Sequence, residues 1–269
     1  MNYTEILKIT KDIAREAGSI LMDHYGKIHD IKYKSPGDVV TEADVASEEY
    51  ITERLKSEFP RYTVLGEEFG LSKTELDSDC CWAIDPLDGT ANYAMHFPIF
   101  AVSIGLLCNG NPVVGVVYDP NNNRMFCAAK GHGATMDGKP ISVNPNAKIS
   151  SDGLFGFASR MLHTNHHFIG NFLKGRSLGS AALQICAVAS GFFDGTTDLG
   201  TKLWDIAAGA IILAEAGGKI SSPHGASIFP LAKDSLAYNS HAVDFLATNG
   251  ALHDECVARF KEGKSNSVA

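Results

Sequence analysis

The sequence lacks the features that would commit it to a membrane, to an oxidising compartment or to nucleic acid. No segment approaches the ~18 uninterrupted apolar residues that a bilayer-spanning helix needs, so no membrane partner is expected. The opening run Met1-Asn2-Tyr3-Thr4-Glu5 carries neither a basic stretch nor a cleavable apolar core. The six cysteines, Cys80, Cys81, Cys108, Cys127, Cys186 and Cys256, include no CxxC pair and no framework of the kind small secreted domains use. Reduced thiols in a cytoplasmic setting are therefore expected. Positive charge is short, with 23 Lys+Arg against 31 Asp+Glu and a net charge of -8, and such a mean field argues against general nucleic-acid binding. There is no HExxH among the histidines, whose one cluster, His163, His166 and His167, reads as a solvated loop. Internal repeats and low-complexity linkers are absent. Neither a GxSxG elbow nor a cysteine in a phosphate-cradle motif is present, which leaves no evident covalent nucleophile.

What is present is a chain of 269 residues, 45% apolar, long enough to bury a large core. Ile6, Ile9, Ile13, Ala17, Ile20 and Leu21 recur at helical spacing and Gly26 comes next as a stop. Ala46, Ile51, Leu55 and Phe59 mark a second helix ending before Pro60, with Thr41, Glu42 and Asp44 in its first turn. Short β-type runs lie at 63–65, 81–84, 100–107, 113–118 and 124–129. Turn signals between the last three suit an antiparallel meander. Beyond residue 150 the pattern predicts a strand at 153–158, helices at 165–173, 180–191 and 204–216, a strand at 242–248 and a closing helix at 250–260. The expectation is one unit over 1–269, with an α+β half to about residue 150 and an α/β half from about 151.

The densest chemical signal is Trp82-Ala83-Ile84-Asp85-Pro86-Leu87-Asp88-Gly89-Thr90, in which an apolar strand delivers two carboxylates across a proline turn. Pro86 fixes the chain direction, Gly89 permits close approach, and Thr90 opens a segment whose free N–H groups could meet a phosphate. Aspartates there could equally cap a helix. Glu67 and Glu68 come directly after another β run, and Asp205 opens a helix, where a carboxylate also favours the dipole. Taken together, the four acids Glu67, Asp85, Asp88 and Asp205 point to divalent cations, which let an acidic protein bind a phosphate ester.

Gly66-Glu67-Glu68, Trp82 through Asn92, and Leu203-Trp204-Asp205-Ile206-Ala207-Ala208-Gly209 resemble, in order and separation, the three signature segments of the inositol monophosphatase family. The likeness extends through Val40-Thr41-Glu42-Ala43-Asp44, Phe97-Pro98, Val102-Ser103-Ile104-Gly105, Arg176 to Ala182 and Glu215-Ala216-Gly217-Gly218, and so covers nearly the whole chain. It implies an α+β fold, a layered αβαβα sandwich. It implies two or three Mg2+ ions, with Mn2+ able to substitute, held by Glu67, Asp85, Asp88, Asp205 and the Leu87 carbonyl. Oxygen-only ligands agree with that choice of metal, and crowded carboxylates are stable as anions mainly when such cations neutralise them.

The resemblance further implies hydrolysis of a small phosphorylated polyol by water activated at the cations, without a covalent intermediate, together with lithium sensitivity and a homodimer. In that scheme Glu67 orients the water, Thr90 with Asp44 helps deprotonate it, Lys34 approaches from the loop before Pro36, and the Gly89 and Thr90 N–H groups hold the phosphate. Asn92, Gly179, Ser180, Ala181, Asp198 and Lys202 stand where the family reads its substrate. Asp198 replaces a glutamate common in animal members and Lys202 a histidine, departures that leave the polyol open beyond inositol 1-phosphate. Fructose-1,6-bisphosphatase, histidinol-phosphate phosphatase and 3′,5′-bisphosphate nucleotidase share the metal motifs, and Ser159-Arg160 faintly resembles a nucleotidase segment. A reading of a different class is a non-catalytic regulator, associated with protein or RNA, on the same fold.

Overall fold

The computed structural model describes residues 2–27, 32–35, 38–72, 79–150, 152–161, 174–232 and 242–265. The first apolar stripe folds as α1, Tyr3–His24, which starts where the Asn2 side chain accepts the Glu5 N–H and is succeeded by Gly26 at φ 76°. Helix α2, Glu42–Glu58, stops at Phe59 because the residue before a proline is driven out of the helical region. A short antiparallel hairpin, β1 (Lys32–Ser35) and β2 (Asp38–Val40), lies between them in sequence.

An eight-stranded sheet comes next, in the order β10-β9-β8-β7-β6-β5-β3-β4. Its strands are β3 (Thr63–Gly66), β4 (Gly70–Ser72), β5 (Cys80–Asp88), β6 (Ala101–Cys108), β7 (Asn111–Asp119), β8 (Arg124–Ala129), β9 (Ala134–Met136) and β10 (Lys139–Pro140). β6, β7 and β8 form the antiparallel meander that the turn signals predict, and β5 and β9 extend it on either side. β3 and β5 are instead parallel neighbours, with Gly66 opposite Ile84, so the turns at their carboxyl ends lie at one end of the sheet.

The second sheet has five strands in the order β12-β11-β13-β15-β14, formed by β11 (Leu154–Phe157), β12 (Lys174–Arg176), β13 (Gly195–Thr201), β14 (Lys219–Ser221) and β15 (Val243–Thr248). Between α2 and the chain end lie α3 (Thr90–Ala94), α4 (Ala181–Ala189), α5 (Leu203–Glu215) and α6 (His253–Ser265). α1 and α2 pack on one face of the large sheet, α4 and α5 lie between the sheets, and α6 packs on β15. This is the layered α+β sandwich. Every residue of α4 is buried, as a helix that is apolar but for the hydrogen-bonded Gln184 must be. Among the described residues no helix is long and apolar enough to cross a membrane.

The approach of α5 to the sheet depends on two glycines. Gly105 on β6 faces Gly115 on β7 in register, and a Cβ at Gly105 would stand 2.7 Å from the Ala208 nitrogen. At Gly115 it would stand 2.5 Å from the Ala208 oxygen. The helix backbone therefore lies against the bare sheet at these points.

Several expectations are corrected. β13 has no counterpart among the expected strands, because Gly-Thr-Thr-Asp-Leu-Gly-Thr shows little apolar alternation; its pairing with both β11 and β15 makes the strand. Two of the six cysteines are not reduced thiols: Cys80 and Cys108 face each other on β5 and β6, Cα atoms 4.1 Å apart, and are disulfide-bonded. A cross-strand pair 28 residues apart has no signature in cysteine spacing. The helix expected over 165–173, the cluster His163, His166 and His167, and the Lys34 side chain lie outside the described residues.

Replacing Gly115 by alanine should overpack this contact and lower unfolding stability by about 1–3 kcal/mol. A urea midpoint equal to that of the wild type would refute the glycine argument.

Candidate active site

The acids of the two turns arrive from neighbouring parallel strands. β3 ends at Gly66, directly before Glu67; β5 ends with an irregularity between Asp85 and Asp88, where Pro86 turns the chain. A crevice beyond the carboxyl ends of parallel strands is a common place for ligands. Asp205 comes from the first turn of α5, the helix that rests on Gly105 and Gly115. A cavity of about 440 Å³ gathers Glu67, Asp85, Leu87, Asp88, Gly89 and Thr90 from the large sheet. From the second half of the chain it takes Gly179, Ser180, Ala181, Asp198 and Asp205.

Each aspartate of the site is partly held by protein donors. Asp85 Oδ1 accepts the Leu87 N–H at 2.9 Å, and Asp205 Oδ2 accepts the Lys202 N–H at 2.8 Å. Asp88 sits against the start of α4: the Ser180 hydroxyl donates to Oδ2 at 2.5 Å, the Ala182 N–H to Oδ2 at 2.8 Å and the Ala181 N–H to Oδ1 at 3.2 Å. A carboxylate at that helix end is favoured by the dipole and ties the two halves together. Asp44, buried on α2, accepts from the Thr41 hydroxyl and N–H, at 2.5 and 2.9 Å. The Thr90 hydroxyl lies 3.2 Å from Asp44 Oδ1 and 2.9 Å from the Leu87 carbonyl. Its single proton can go to only one of them at a time.

Burial and mutual repulsion make the aspartates of the site reluctant anions. Burial first, then Glu67, Asp88 and Asp205, push Asp85 well above the ordinary aspartate range. Asp205 is raised well above it by burial and by Asp88. Asp88 is pushed up to about 6 by burial, although the α4 donors pull the other way. Asp44 reaches about 6 through burial, and Asp198 likewise, with Arg160 opposing. Arg160 Nε lies 3.2 Å from Asp198 Oδ1, and among the described lining residues it alone is cationic.

The donor set suits a hard divalent cation: four carboxylates and a carbonyl, all oxygen, with Asp85 and Asp88 buried and Glu67 and Asp205 half-buried, where unneutralised charge is costly. Among the described residues, no three His, Cys, Asp or Glu side chains stand in finished metal-holding geometry. The aspartates are instead engaged by the N–H and hydroxyl donors named above.

Two of the residues expected to read a substrate are not in the cavity lining. Asn92 donates through Nδ2 to the Ile99 and Leu178 carbonyls, both at 2.8 Å, and Lys202 contributes its backbone N–H to Asp205. Glu48 is absent from the sequence-derived candidates, although its position four residues after Asp44 puts it on the same helix face; its carboxylate accepts backbone N–H groups beside Glu67. Gln184 and Thr201 also line the cavity, without any sequence signal to mark them.

Residues 2–263 match the model of a family described as the inositol monophosphatase family. The chain is 38% identical over 266 residues to a protein of Aquifex aeolicus named fructose-1,6-bisphosphatase/inositol-1-monophosphatase, covering 94% of each chain. It is also 38% identical over 230 residues to the Nus factor SuhB of Pasteurella multocida, covering 82% of this chain and 86% of that one. Among solved structures, an inositol monophosphatase from Anabaena (Nostoc) superposes with a TM-score of 0.82 at 36% identity, covering 97% of both chains.

The linkage of protonation to stability offers a test of the acid cluster. Asp85 binds its proton more tightly folded than unfolded, where an aspartate titrates near ~3.9. Its penalty is therefore absent below that pH and grows as the pH rises through the folded value. In chelator, Asp85→Asn should melt above the wild type at pH 8, with the gap shrinking towards pH 5. The stabilisation that divalent cations give the wild type should be lost in the variant. A gap independent of pH, or an undiminished cation effect, would count against the cluster as a metal site.

Proposed function

The chain belongs to the inositol monophosphatase family, and from that premise we propose that it is a magnesium-dependent phosphatase of small phosphorylated polyols, inositol 1-phosphate first among them, acting by direct attack of water. The observation that carries this reading is the meeting of Glu67, Asp85, Asp88 and Asp205 in one cavity, with Thr90 beside a buried Asp44.

In this reading Glu67, Asp85, Asp88, Asp205 and the Leu87 carbonyl hold the cations, Mg2+ with Mn2+ as substitute. Bound cations would neutralise the acids, draw in the phosphate and acidify the attacking water. The rest is done by the chain. When the Leu87 carbonyl is engaged, the Thr90 proton turns to Asp44, and the Thr90 oxygen becomes an acceptor facing the cavity. Asp44, with a pKa of about 6, is poised near neutrality to favour that direction of proton movement. Glu67 orients the water from the opposite turn. Gly89, at φ 102°, leaves no room for a Cβ, which would stand 3.0 Å from the Ile99 carbonyl oxygen; bare backbone N–H groups of Gly89 and Thr90 receive phosphate oxygens. In this reading neither Ser180 nor Cys186 serves as a covalent nucleophile, since the Ser180 hydroxyl is spent on Asp88 and burial raises the Cys186 thiol well above its ordinary range.

Also on the cavity lining, Asp198 would accept a polyol hydroxyl, with Ser180 and Ala181 shaping the wall. The Aquifex relative's name joins fructose-1,6-bisphosphatase to inositol-1-monophosphatase, so a sugar bisphosphate belongs among the substrates to be compared. The name Nus factor SuhB favours a second reading, a regulatory protein for which turnover is secondary.

Phosphate release should be measured side by side on inositol phosphates, fructose-1,6-bisphosphate, histidinol phosphate and 3′-phosphoadenosine 5′-phosphate. Release that requires Mg2+ and falls in millimolar lithium is expected, highest on an inositol monophosphate. Thr90→Val should lower kcat by about 10²-fold or more with KM little changed. No release on any ester would favour the regulatory reading, and an unaltered kcat in Thr90→Val would remove the proposed proton path.

A further inference from the structure

Helix α2 lays three buried side chains, Asp44, Ser47 and Glu48, along one face, since residues three and four apart are neighbours on a helix. Each touches a different piece of the backbone or side chains around the acids. Asp44 meets Thr90, and the Ser47 hydroxyl donates to the Pro86 carbonyl at 3.2 Å. Glu48, 1% exposed, accepts the Glu68 N–H on Oε2 and the Phe69 N–H on Oε1, each at 2.8 Å.

Those two N–H groups belong to the tight connection between β3 and β4. Gly66 pairs with Gly70, so Glu67, Glu68 and Phe69 form the whole loop, whose N–H groups lie outside the strand ladder. One carboxylate satisfies two of them and fixes the plane of the loop that carries Glu67. The fit is close enough that any Cβ on Gly66 would run into the Glu48 carboxylate. Glutamate is the residue that the geometry requires: two acceptor oxygens on a stem long enough to cross from α2 to the loop. Helix α2 thus grips both acid-bearing turns, one through Pro86 and Thr90 and the other through Glu48.

We propose that Glu48 is a positioning residue, which orients Glu67 and sets its separation from Asp85 and Asp88, and that the divalent-ion affinity of the cavity depends on it. This rests on the metal-dependent reading above, with Glu67 as a ligand and Glu48 touching neither cation nor substrate. A part that served only the fold would affect stability and leave ion affinity alone.

The test is calorimetric titration of Mn2+ and Mg2+ into metal-stripped protein, with thermal melting of the same samples. Glu48→Gln keeps the shape but only one good acceptor, and its ion Kd should rise about tenfold or more, the scale seen when partners of metal ligands are replaced. Glu48→Ala, with no acceptor, should be weaker still. At saturating Mg2+ the KM for the ester should stay within about twofold of the wild type, because the substrate-reading wall is untouched. A lowered melting temperature with unchanged ion affinity would overturn the proposal. Hydrogen exchange on the metal-free wild type tests it without any variant: the Glu68 and Phe69 amides should exchange as slowly as those of β3, and rapid exchange would overturn it. A wild type that binds no divalent ion would refute the phosphatase reading along with this inference. Normal wild-type binding with an unaffected Glu48→Gln would remove only the inference.

Discussion

The mutual repulsion of crowded carboxylates is the constraint from which the rest of this molecule is best understood. Glu67, Asp85, Asp88 and Asp205 share a cavity whose only described cationic side chain, Arg160, is turned towards Asp198. Unopposed, such charges raise one another's pKa and push apart. The fold opposes them with packing. Parallel strands β3 and β5 fix two acids at one end of the sheet, and the bare Gly105 and Gly115 let α5 bring Asp205 against the same sheet. The start of α4 holds Asp88 with two N–H groups and a hydroxyl. Packing energy is thus committed to an arrangement that electrostatics alone would disperse, and a strained arrangement of this kind persists only where the surroundings over-determine it.

The same contacts make the site a joint between the two halves of the chain. Asp88 ends the last strand segment before α3 yet is bonded to the helix that opens after β12, and Asp205 opens the next helix along the chain. An ion held by Asp85, Asp88 and Asp205 would therefore bind the large sheet to the layer between the sheets. In the proposed reading, cation binding contributes to folding free energy as well as to turnover, in the manner of sites that do not pre-exist in an unfolded chain.

Legibility in the sequence depends on the range of the interactions. The 3.6-residue stripe of Ile6, Ile13, Ala17 and Leu21 is local, and α1 appears where it predicts. The turn residues between β6, β7 and β8 are local too, and the antiparallel meander is present. The strand β13 is not local. Its threonines and glycines become a strand because β11 and β15 flank it, and partners that far along the chain leave no periodic trace. The Cys80–Cys108 bond is hidden for the same reason, being fixed by the β5–β6 register. Glu48 is within reach, since its spacing from Asp44 is readable, but its loop partners across twenty or so residues are not. Motif likeness reaches further than periodicity because it carries the result of tertiary packing: it names the acids that the structure gathers in one cavity. It also names Asn92, whose amide is spent tying the Ile99 and Leu178 carbonyls together.

In the proposed reading the phosphoryl group meets the acids while Asp198, on the same cavity wall, meets the polyol, and this division of labour bears on how substrate preference can vary within the fold. In that reading the acid cluster would meet a phosphoryl group whatever the group is attached to. Asp198 lies on β13 where its register with β15 shifts, 5% exposed, with the more open Arg160 across from it and the Leu199 N–H on its Oδ1 at 2.6 Å. A hydroxyl reaching Asp198 in the proposed reading must share the carboxylate with these donors. Asp244 on β15 adds a like charge and takes the Gly200 N–H, so it steers the bulge that presents Asp198. Exchanges at Arg160 or Asp244 could therefore move the preferred polyol without disturbing Asp85 or Asp88. Relatives bearing different substrate names are what such an arrangement would produce, since function resides in the site and not in the fold that carries it.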